Sequence, residues 1–203
     1  MVPELFILFR PEDRRGRNGY FIILSGPSGV GKNTLLNRVL KELSGVYYMP
    51  SATTRPMRSG ESQLNPYAFI KTEEFEELIE QGQFLEWKKI HNNAYYGTHL
   101  PTIRYAIDNG YDIITDMDVL GCADAMEAFP EHIRTIFITP PSLAELSHRL
   151  YARDSDSANI EQRLSRVELE LKYQDKYDYL IVNDDLDQSA HKLTQIIQHI
   201  IQD

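Results

Sequence analysis

A chain of 203 residues that is 42% hydrophobic and 25% charged has the composition of one globular domain of mixed structure, with length to spare for a small insertion. A formal net charge of -9 and a pI near 5.2 argue against the coating of long nucleic acid, which needs an extended basic footprint, so the basic residues have to act locally. The lone cysteine, Cys122, allows no intrachain disulfide and no cysteine-rich metal site, which suits a reducing cytoplasm, and no apolar run approaches the ~20 residues of a membrane span.

In chain order, Met1 to Phe9 is too short in its apolar part and too acidic at its start for a secretory signal, and with the polar stretch Arg10 to Asn18 it reads as a poorly ordered extension of residues 1–18. Tyr20 to Ser25 is an apolar run ending at a Gly/Pro cluster, and Asn33 to Leu43 carries apolar residues at helical spacing, giving strand, glycine loop and helix. Between about residues 53 and 98 the pattern turns Tyr- and Phe-rich with short mixed segments, as an inserted substrate-binding lobe would. Alternation then resumes with a helix over Thr102–Asn109, an apolar run Ile113-Ile114 ending in Asp116, and a helix over Ala123–Ala128. A strand over Ile133–Ile138 and a helix over Ser142–Ala152 follow. Ile160, Leu164, Val167 and Leu171 recur at steps of three and four on a long amphipathic helix, before a strand Tyr179–Val182 and a helix Ser189–Ile201. Strands alternating with helices predict an α/β fold with a parallel sheet flanked by helices, spanning residues 19–203 with its core at 19–52 and 99–203.

Gly26-Pro27-Ser28-Gly29-Val30-Gly31-Lys32 matches the phosphate-binding P-loop in its proper context, directly after a strand and before a helix. Glycines let successive N–H groups turn inward as an anion nest, the helix N-terminus adds partial positive charge, and Lys32 reaches the β- and γ-phosphates. The residue after the lysine is Asn33 rather than a Ser or Thr whose hydroxyl approaches Mg²⁺, with Thr34 next. A carboxamide oxygen could serve the ion directly or through water, because Mg²⁺ takes few protein ligands in such sites. Asp116, ending an apolar strand, sits where P-loop enzymes place the acid that orients the Mg²⁺ waters, although a helix cap is the simpler alternative.

A second anion site is written in Ser51-Ala52-Thr53-Thr54-Arg55-Pro56-Met57-Arg58-Ser59-Gly60-Glu61, where two arginines three apart on a chain stiffened by Pro and turned by Gly can grip one dianionic phosphate. Tyr67, Phe84-Leu85-Glu86-Trp87, Tyr95-Tyr96-Gly97-Thr98, Asp116-Met117-Asp118-Val119-Leu120-Gly121, Pro140-Pro141-Ser142-Leu143 and Asn183-Asp184-Asp185-Leu186-Asp187 follow. In order and spacing these motifs resemble the guanylate kinase family from about Tyr20 to the C-terminus. The resemblance implies a P-loop NTPase-type sheet, an inserted mixed α/β GMP-binding lobe over 53–98 and a helical lid at about 153–163. It further implies that Arg55, Arg58, Tyr67 and Tyr96 hold the GMP phosphate while Ser51, Glu86, Thr98 and Asp118 surround the guanine. Guanine's N1–H and N2–H₂ donors suit two carboxylates, whereas adenine would leave an acid desolvated and unpaired; the plainer readings are Glu86 as a surface acid beside a core Trp87 and Asp118 as a helix cap.

On the donor side, the resemblance implies that Gly26, Pro27, Ser28, Gly29, Val30, Gly31, Lys32, Asn33, Thr34, Asn183 and Asp184 bind ATP, with Asn33 and Asp116 meeting Mg²⁺ through water. Arg149, Arg153 and Arg163 would join Lys32 and Arg55 as the cations that offset charge on the transferring phosphoryl group. Arg149 and Arg153 lie four apart, and Arg163 and Arg166 three apart, so each pair can share a helix face, but Arg166 reads chiefly as solvated helix charge. Departures from the family pattern are Asn33, Leu120 in place of glutamine, Pro66 in place of aspartate, one extra residue near Ala94 and one fewer in the lid loop. The expected activity is transfer of the γ-phosphoryl group of MgATP to GMP or dGMP by a cytoplasmic monomer or homodimer, with no nucleic acid polymer or membrane as partner. Catalytically silent interaction modules of the same family, and P-loop kinases with another phosphorylated acceptor, are the alternatives. His91, His99, His132, His148, His191 and His199 form no metal spacing and read as surface or packing residues.

Overall fold

Consecutive rather than alternating apolar residues mark strands covered on both faces, and in β1 (Phe21–Ser25) every residue is buried. A computed structural model describes residues 7, 9–90, 93–153 and 157–202, with the side chains of residues 152–163 outside the described set. After β1 come α1 (Lys32–Val39), β2 (Val46–Tyr48), β3 (Ala52–Thr53), β4 (Ala68–Phe69), α2 (Thr72–Glu80), β5 (Phe84–Ile90) and β6 (Ala94–His99). They are followed by α3 (Leu100–Asp108), β7 (Asp112–Asp116), α4 (Val119–Ala128), β8 (Ile133–Thr139), α5 (Leu143–Arg153), α6 (Ser157–Leu171), β9 (Tyr179–Val182) and α7 (Leu186–Gln202). One sheet has the strand order β2-β7-β1-β8-β9 and a second β4-β3-β6-β5, so the expected α/β architecture with a parallel sheet is what forms. No helix among the described residues is long and apolar enough to cross a membrane.

The chain divides into two compact units, the first comprising residues 1–21, 45–115 and 124–132, the second residues 22–44, 116–123 and 133–203. In the first, β2 runs parallel to β7 with Val46 opposite Asp112, and the β4-β3-β6-β5 sheet carries a small core of its own. Ala52, Phe75, Phe84 and Tyr95 are buried together, the Phe75 ring stacking on Phe84 at 4.3 Å and on Tyr95 at 5.1 Å between centroids. Tyr95 on β6 therefore supplies the aromatic core, while its neighbour Trp87 is 47% exposed and is not the core residue that its apolar character suggests.

Residues 9–18 are also held to this unit rather than loosely ordered. The Phe9 ring packs against Tyr47 at 5.0 Å and Tyr111 at 4.6 Å, and Tyr47 donates to Asp13. The physical reason lies in Asp112, whose side chain is wholly buried on β7: Arg17 reaches it through two nitrogens at 2.9 and 3.2 Å, Arg15 lies 3.4 Å away, and the Tyr20 amide donates at 2.8 Å. A buried carboxylate without such partners is strongly destabilising, so the polar stretch that reads as a tail closes over its own counter-charge.

In the second unit β8 and β9 are parallel from Ile136 opposite Tyr179 to Thr139 opposite Val182, and α7 packs on both α1 and β9. Three helix starts are set by side-chain caps. Asp118 Oδ1 accepts from the Gly121 amide at 3.0 Å and starts α4 at Val119, before the expected Ala123. Asp185 Oδ1 accepts from the Gln188 amide at 2.8 Å and starts α7 at Leu186, before the expected Ser189. Ser142 caps α5 through the Glu145 amide at 3.1 Å. Helix α1 stops at Val39, short of Leu43, because tightened turns over residues 40–43 lead into Gly45 at φ 76°.

His99, at the start of α3, is 1% exposed with its Nδ1 2.8 Å from Thr102 Oγ1, and burial lowers its pKa to about 4 from 6.5. The unfolded chain therefore takes up a proton that the folded chain refuses, so the stability His99 contributes is present above pH 6.5 and lost as pH falls toward 4. The loss amounts to about 3 kcal/mol. Urea unfolding from pH 7 to pH 4 should show this added slope, and His99→Gln, which keeps a partner for Thr102, should remove it.

Candidate active site

The loop between β1 and α1 is shaped by contacts that admit only glycine. A Cβ on Gly26 (φ 138°) would sit 2.1 Å from the Ile138 carbonyl oxygen on β8, and one on Gly31 (φ 100°), the N-cap of α1, would sit 2.6 Å from Asn183 Nδ2. Lys32 folds back over the loop and donates to the carbonyls of Gly26 at 2.6 Å and Pro27 at 3.2 Å. Burial lowers the Lys32 pKa, opposed by the carboxylates of Asp116, Glu170 and Asp118.

Two cavities open onto this loop. One, of about 350 Å³, is lined by Ser28, Lys32, Asp116, Asp118, Arg166 and Glu170. The other, of about 470 Å³, is lined by Ser28, Gly29, Lys32, Asn33, Thr34 and Asp116. Asn33 and Thr34 thus line the same cavity as Asp116, the carboxylate that among the described residues lines both cavities. A carboxylate with amide and hydroxyl oxygens beside an anion nest fits a hard cation that keeps most of its water, as Mg²⁺ does. Among the described residues no cluster of three or more His, Cys, Asp or Glu forms a dedicated metal cage.

Asn183 is 5% exposed, and its side-chain amide donates to the Val30 carbonyl of the loop at 2.8 Å while its own amide donates to Thr139 at 2.8 Å. Arg149 donates to the Asn183 carbonyl at 3.0 Å and pairs through Nε with Glu145 at 2.8 Å. Two residues that the sequence associates with nucleotide contact are thus also the scaffold of the P-loop, a role that only the fold reveals. Asp184 beside them is exposed. Arg153 ends α5 and Arg163 lies in α6, their side chains outside the described residues.

In the first unit, Glu86 on β5 faces Thr98 on β6 and accepts its hydroxyl at 2.7 Å, so two residues predicted to meet one base form one hydrogen-bonded pair. On the same sheet the Arg55 guanidinium lies 5.2 Å from the Tyr67 ring, whose centroid is 5.6 Å from that of Tyr96, and Arg55 also hydrogen-bonds Tyr96. Ser51 is half-buried and accepts the Ala68 amide through its carbonyl, while the Arg58 side chain is exposed. Asp118 belongs to the second unit, where it caps α4 as the plainer reading had it and also lies on the wall beside Lys32.

Sequence reasoning left Glu61 without a role. It clamps Arg55 bidentately at 2.8 and 2.9 Å and accepts the Arg58 amide at 2.7 Å. These partners hold the Glu61 carboxyl down to about 2 and push Arg55 above its ordinary value, so the clamp stays charged across the physiological range. Its signal was its spacing, six residues after Arg55 across the Gly60 turn. Glu170 was missed likewise, one helical turn beyond Arg166.

A glycine loop between a buried parallel strand and a helix, a lysine folded over it, and an acid ending β7 define a P-loop protein of the nucleotide kinase type. Comparison with known proteins narrows the class. The family model described as guanylate kinase matches residues 18–200. Guanylate kinases from Syntrophomonas wolfei and Haemophilus influenzae are each 42% identical, covering 89% of this chain and 92% and 88% of their own lengths. The crystal structure of guanylate kinase from Anaplasma phagocytophilum superposes with a TM-score of 0.71 at 30% identity, covering 90% of this chain and 86% of that one. The chain belongs to the guanylate kinase family.

Asn183→Ala should strand the Val30 carbonyl and loosen the loop, weakening ATP binding about tenfold, or ~1.4 kcal/mol, while GMP binding stays within about twofold. Calorimetry with each nucleotide separately checks it.

Proposed function

We propose that this chain transfers the γ-phosphoryl group of MgATP to GMP or dGMP in the cytoplasm, with ATP at the P-loop and the acceptor on the β4-β3-β6-β5 sheet. The observation that carries the acceptor is the Glu86–Thr98 pair on the same sheet as the Arg55, Tyr67 and Tyr96 cluster. A carboxylate already holding one hydroxyl has oxygen lone pairs left for the N1–H and N2–H₂ edge of guanine, and adenine offers no such donor pair. The arginine cluster suits a dianionic monophosphate, with Glu61 fixing the plane of the Arg55 guanidinium through both terminal nitrogens and leaving its Nε edge toward the acceptor. Ser51 and Asp118 complete the guanine contacts in this reading, and Arg58 the phosphate contacts.

On the donor side, the loop amides and Lys32 hold the β- and γ-phosphates, and Asn183 and Arg149 keep the loop in shape. Asp116, Asn33 and Thr34 would hold Mg²⁺, mostly through water, and the ion would supply charge neutralisation between phosphates when bound. Arg153 and Arg163, on the lid at about 153–163, would add positive charge as the phosphoryl group moves, and closing the lid would keep out water that could hydrolyse ATP. The acceptor phosphate is an anionic nucleophile already, so no side chain has to remove a proton, and transfer proceeds in line without a covalent enzyme intermediate.

Coupled ADP formation with ATP and a panel of nucleoside monophosphates tests the reading, with activity expected on GMP and dGMP and little on AMP. Glu86→Gln should lower kcat/KM for GMP by about 10²-fold, or ~3 kcal/mol, and unchanged GMP turnover would remove Glu86 from the guanine site.

Asn33 offers a separate check on the metal. Asn33→Ser replaces a carboxamide by the hydroxyl usual at this position, so kcat should change by no more than about tenfold, ~1.4 kcal/mol. The larger effect should fall on the Mg²⁺ concentration for half-maximal rate, measured at saturating nucleotide. A silent parent chain restored by this one substitution would mean that the metal contact governs the reaction.

A further inference from the structure

Arg166 reads in the sequence as solvated charge on α6. In the structure it also lines the 350 Å³ cavity beside the P-loop, together with Ser28 and Lys32. Its Nε donates to Glu170 Oε1 at 3.1 Å, one helical turn on, and its Nη2 lies 3.7 Å from Asp118 Oδ2. An exposed pair at this spacing would be worth little. Here one partner is not exposed: Glu170 is 7% exposed, and its Oε2 is buried without a hydrogen-bond partner among the described residues.

A carboxylate desolvated to that degree is costly unless a cation meets it, and Arg166 meets it with the one nitrogen that sets the tilt of the guanidinium plane. With Nε committed, the edge formed by the two terminal nitrogens remains for a bidentate acceptor, and only the long contact to Asp118 has to yield. The charge on the wall points the same way. Without Arg166, a single lysine would stand against the carboxylates of Asp116, Asp118 and Glu170 in a cavity meant for phosphate.

We propose that Arg166 is a further phosphate-binding residue of this site and that Glu170 is its positioning residue, which aims the guanidinium into the cavity. The proposal rests on the P-loop kinase reading given above, and the phosphate could belong to either nucleotide.

Arg166→Ala, Arg166→Lys, Glu170→Gln and the double variant Arg166→Ala/Glu170→Gln in the full chain test it, by steady-state kinetics, thermal melting, and calorimetry with ATP and GMP separately. Arg166→Ala should lower kcat/KM at least tenfold and Arg166→Lys should recover part of the loss; the melting temperature that Arg166→Ala loses by stranding the buried Glu170 carboxylate should return in the double variant, which strands no charge. Glu170→Gln should lower kcat/KM less, and in kcat/KM the double variant should match Arg166→Ala within about twofold, because Glu170 acts through Arg166. A weakened ATP isotherm assigns Arg166 to the donor phosphates and a weakened GMP isotherm to the acceptor. Lost turnover with both isotherms intact assigns it to the group in transfer. Arg166→Ala with parental kcat/KM overturns the proposal, as does a Glu170→Gln defect that persists undiminished when Arg166 is already alanine. Should the parent chain form no ADP from ATP and GMP, the kinase reading falls by itself. Calorimetry then still decides on Arg166: unchanged affinity for both nucleotides in Arg166→Ala overturns its role.

Discussion

A glycine loop that offers amides to an anion leaves carbonyls that need partners of their own. That constraint organises the second unit. The Val30 carbonyl is met by the buried amide of Asn183, the carbonyls of Gly26 and Pro27 by Lys32, and the Asn183 carbonyl by Arg149. Gly26 lies against the Ile138 carbonyl so closely that no side chain fits, and the strand that brings Ile138 there also brings Thr139 to receive the Asn183 amide. The loop is therefore held by β8 and by the end of β9, not by its own sequence alone.

A second regularity explains how a chain of net charge -9 can be built to bind polyanions. Several of its arginines are each fixed by an acid: Arg55 by Glu61, Arg149 by Glu145, Arg166 by Glu170, and Arg15 and Arg17 by Asp112. A guanidinium held by one edge loses little further entropy when its other edge meets a phosphate. The acids that make the chain anionic overall are thus in part the devices that aim its cations. Net charge says little about such a site, because charges farther apart than about 8–10 Å are screened and the phosphate responds to those nearest it.

Much of the fold was legible because its signals are local. Buried runs such as Phe21-Ile22-Ile23-Leu24 and Ile136-Phe137-Ile138 read as strands covered on both faces, and the P-loop reads as such because glycine spacing, strand and helix adjoin in sequence. Boundaries were less legible where a cap decides them. Asp118 and Asp185 start helices before the first apolar position of the periodic pattern, and a capping hydrogen bond leaves no trace in periodicity. Trp87, core in the plainer reading, stands in the open on β5, and the buried aromatics of that sheet are Phe84 and Tyr95.

The sequence by itself determined the class of site, since a glycine loop with its lysine and a pair of arginines beside Pro and Gly do their work within a few residues of one another. Membership of the guanylate kinase family likewise rests on motifs strung along the chain, which need no fold to be recognised. Only the tertiary structure decided which groups hold those motifs in place: Asn183 under the P-loop 153 residues from Val30, Arg17 on Asp112 95 residues away, and Arg166 on a cavity wall with Lys32. Each of these joins residues far apart in sequence, where spacing carries no information. Each also depends on burial, which turns a polar side chain from a solvated surface group into one that must find a partner.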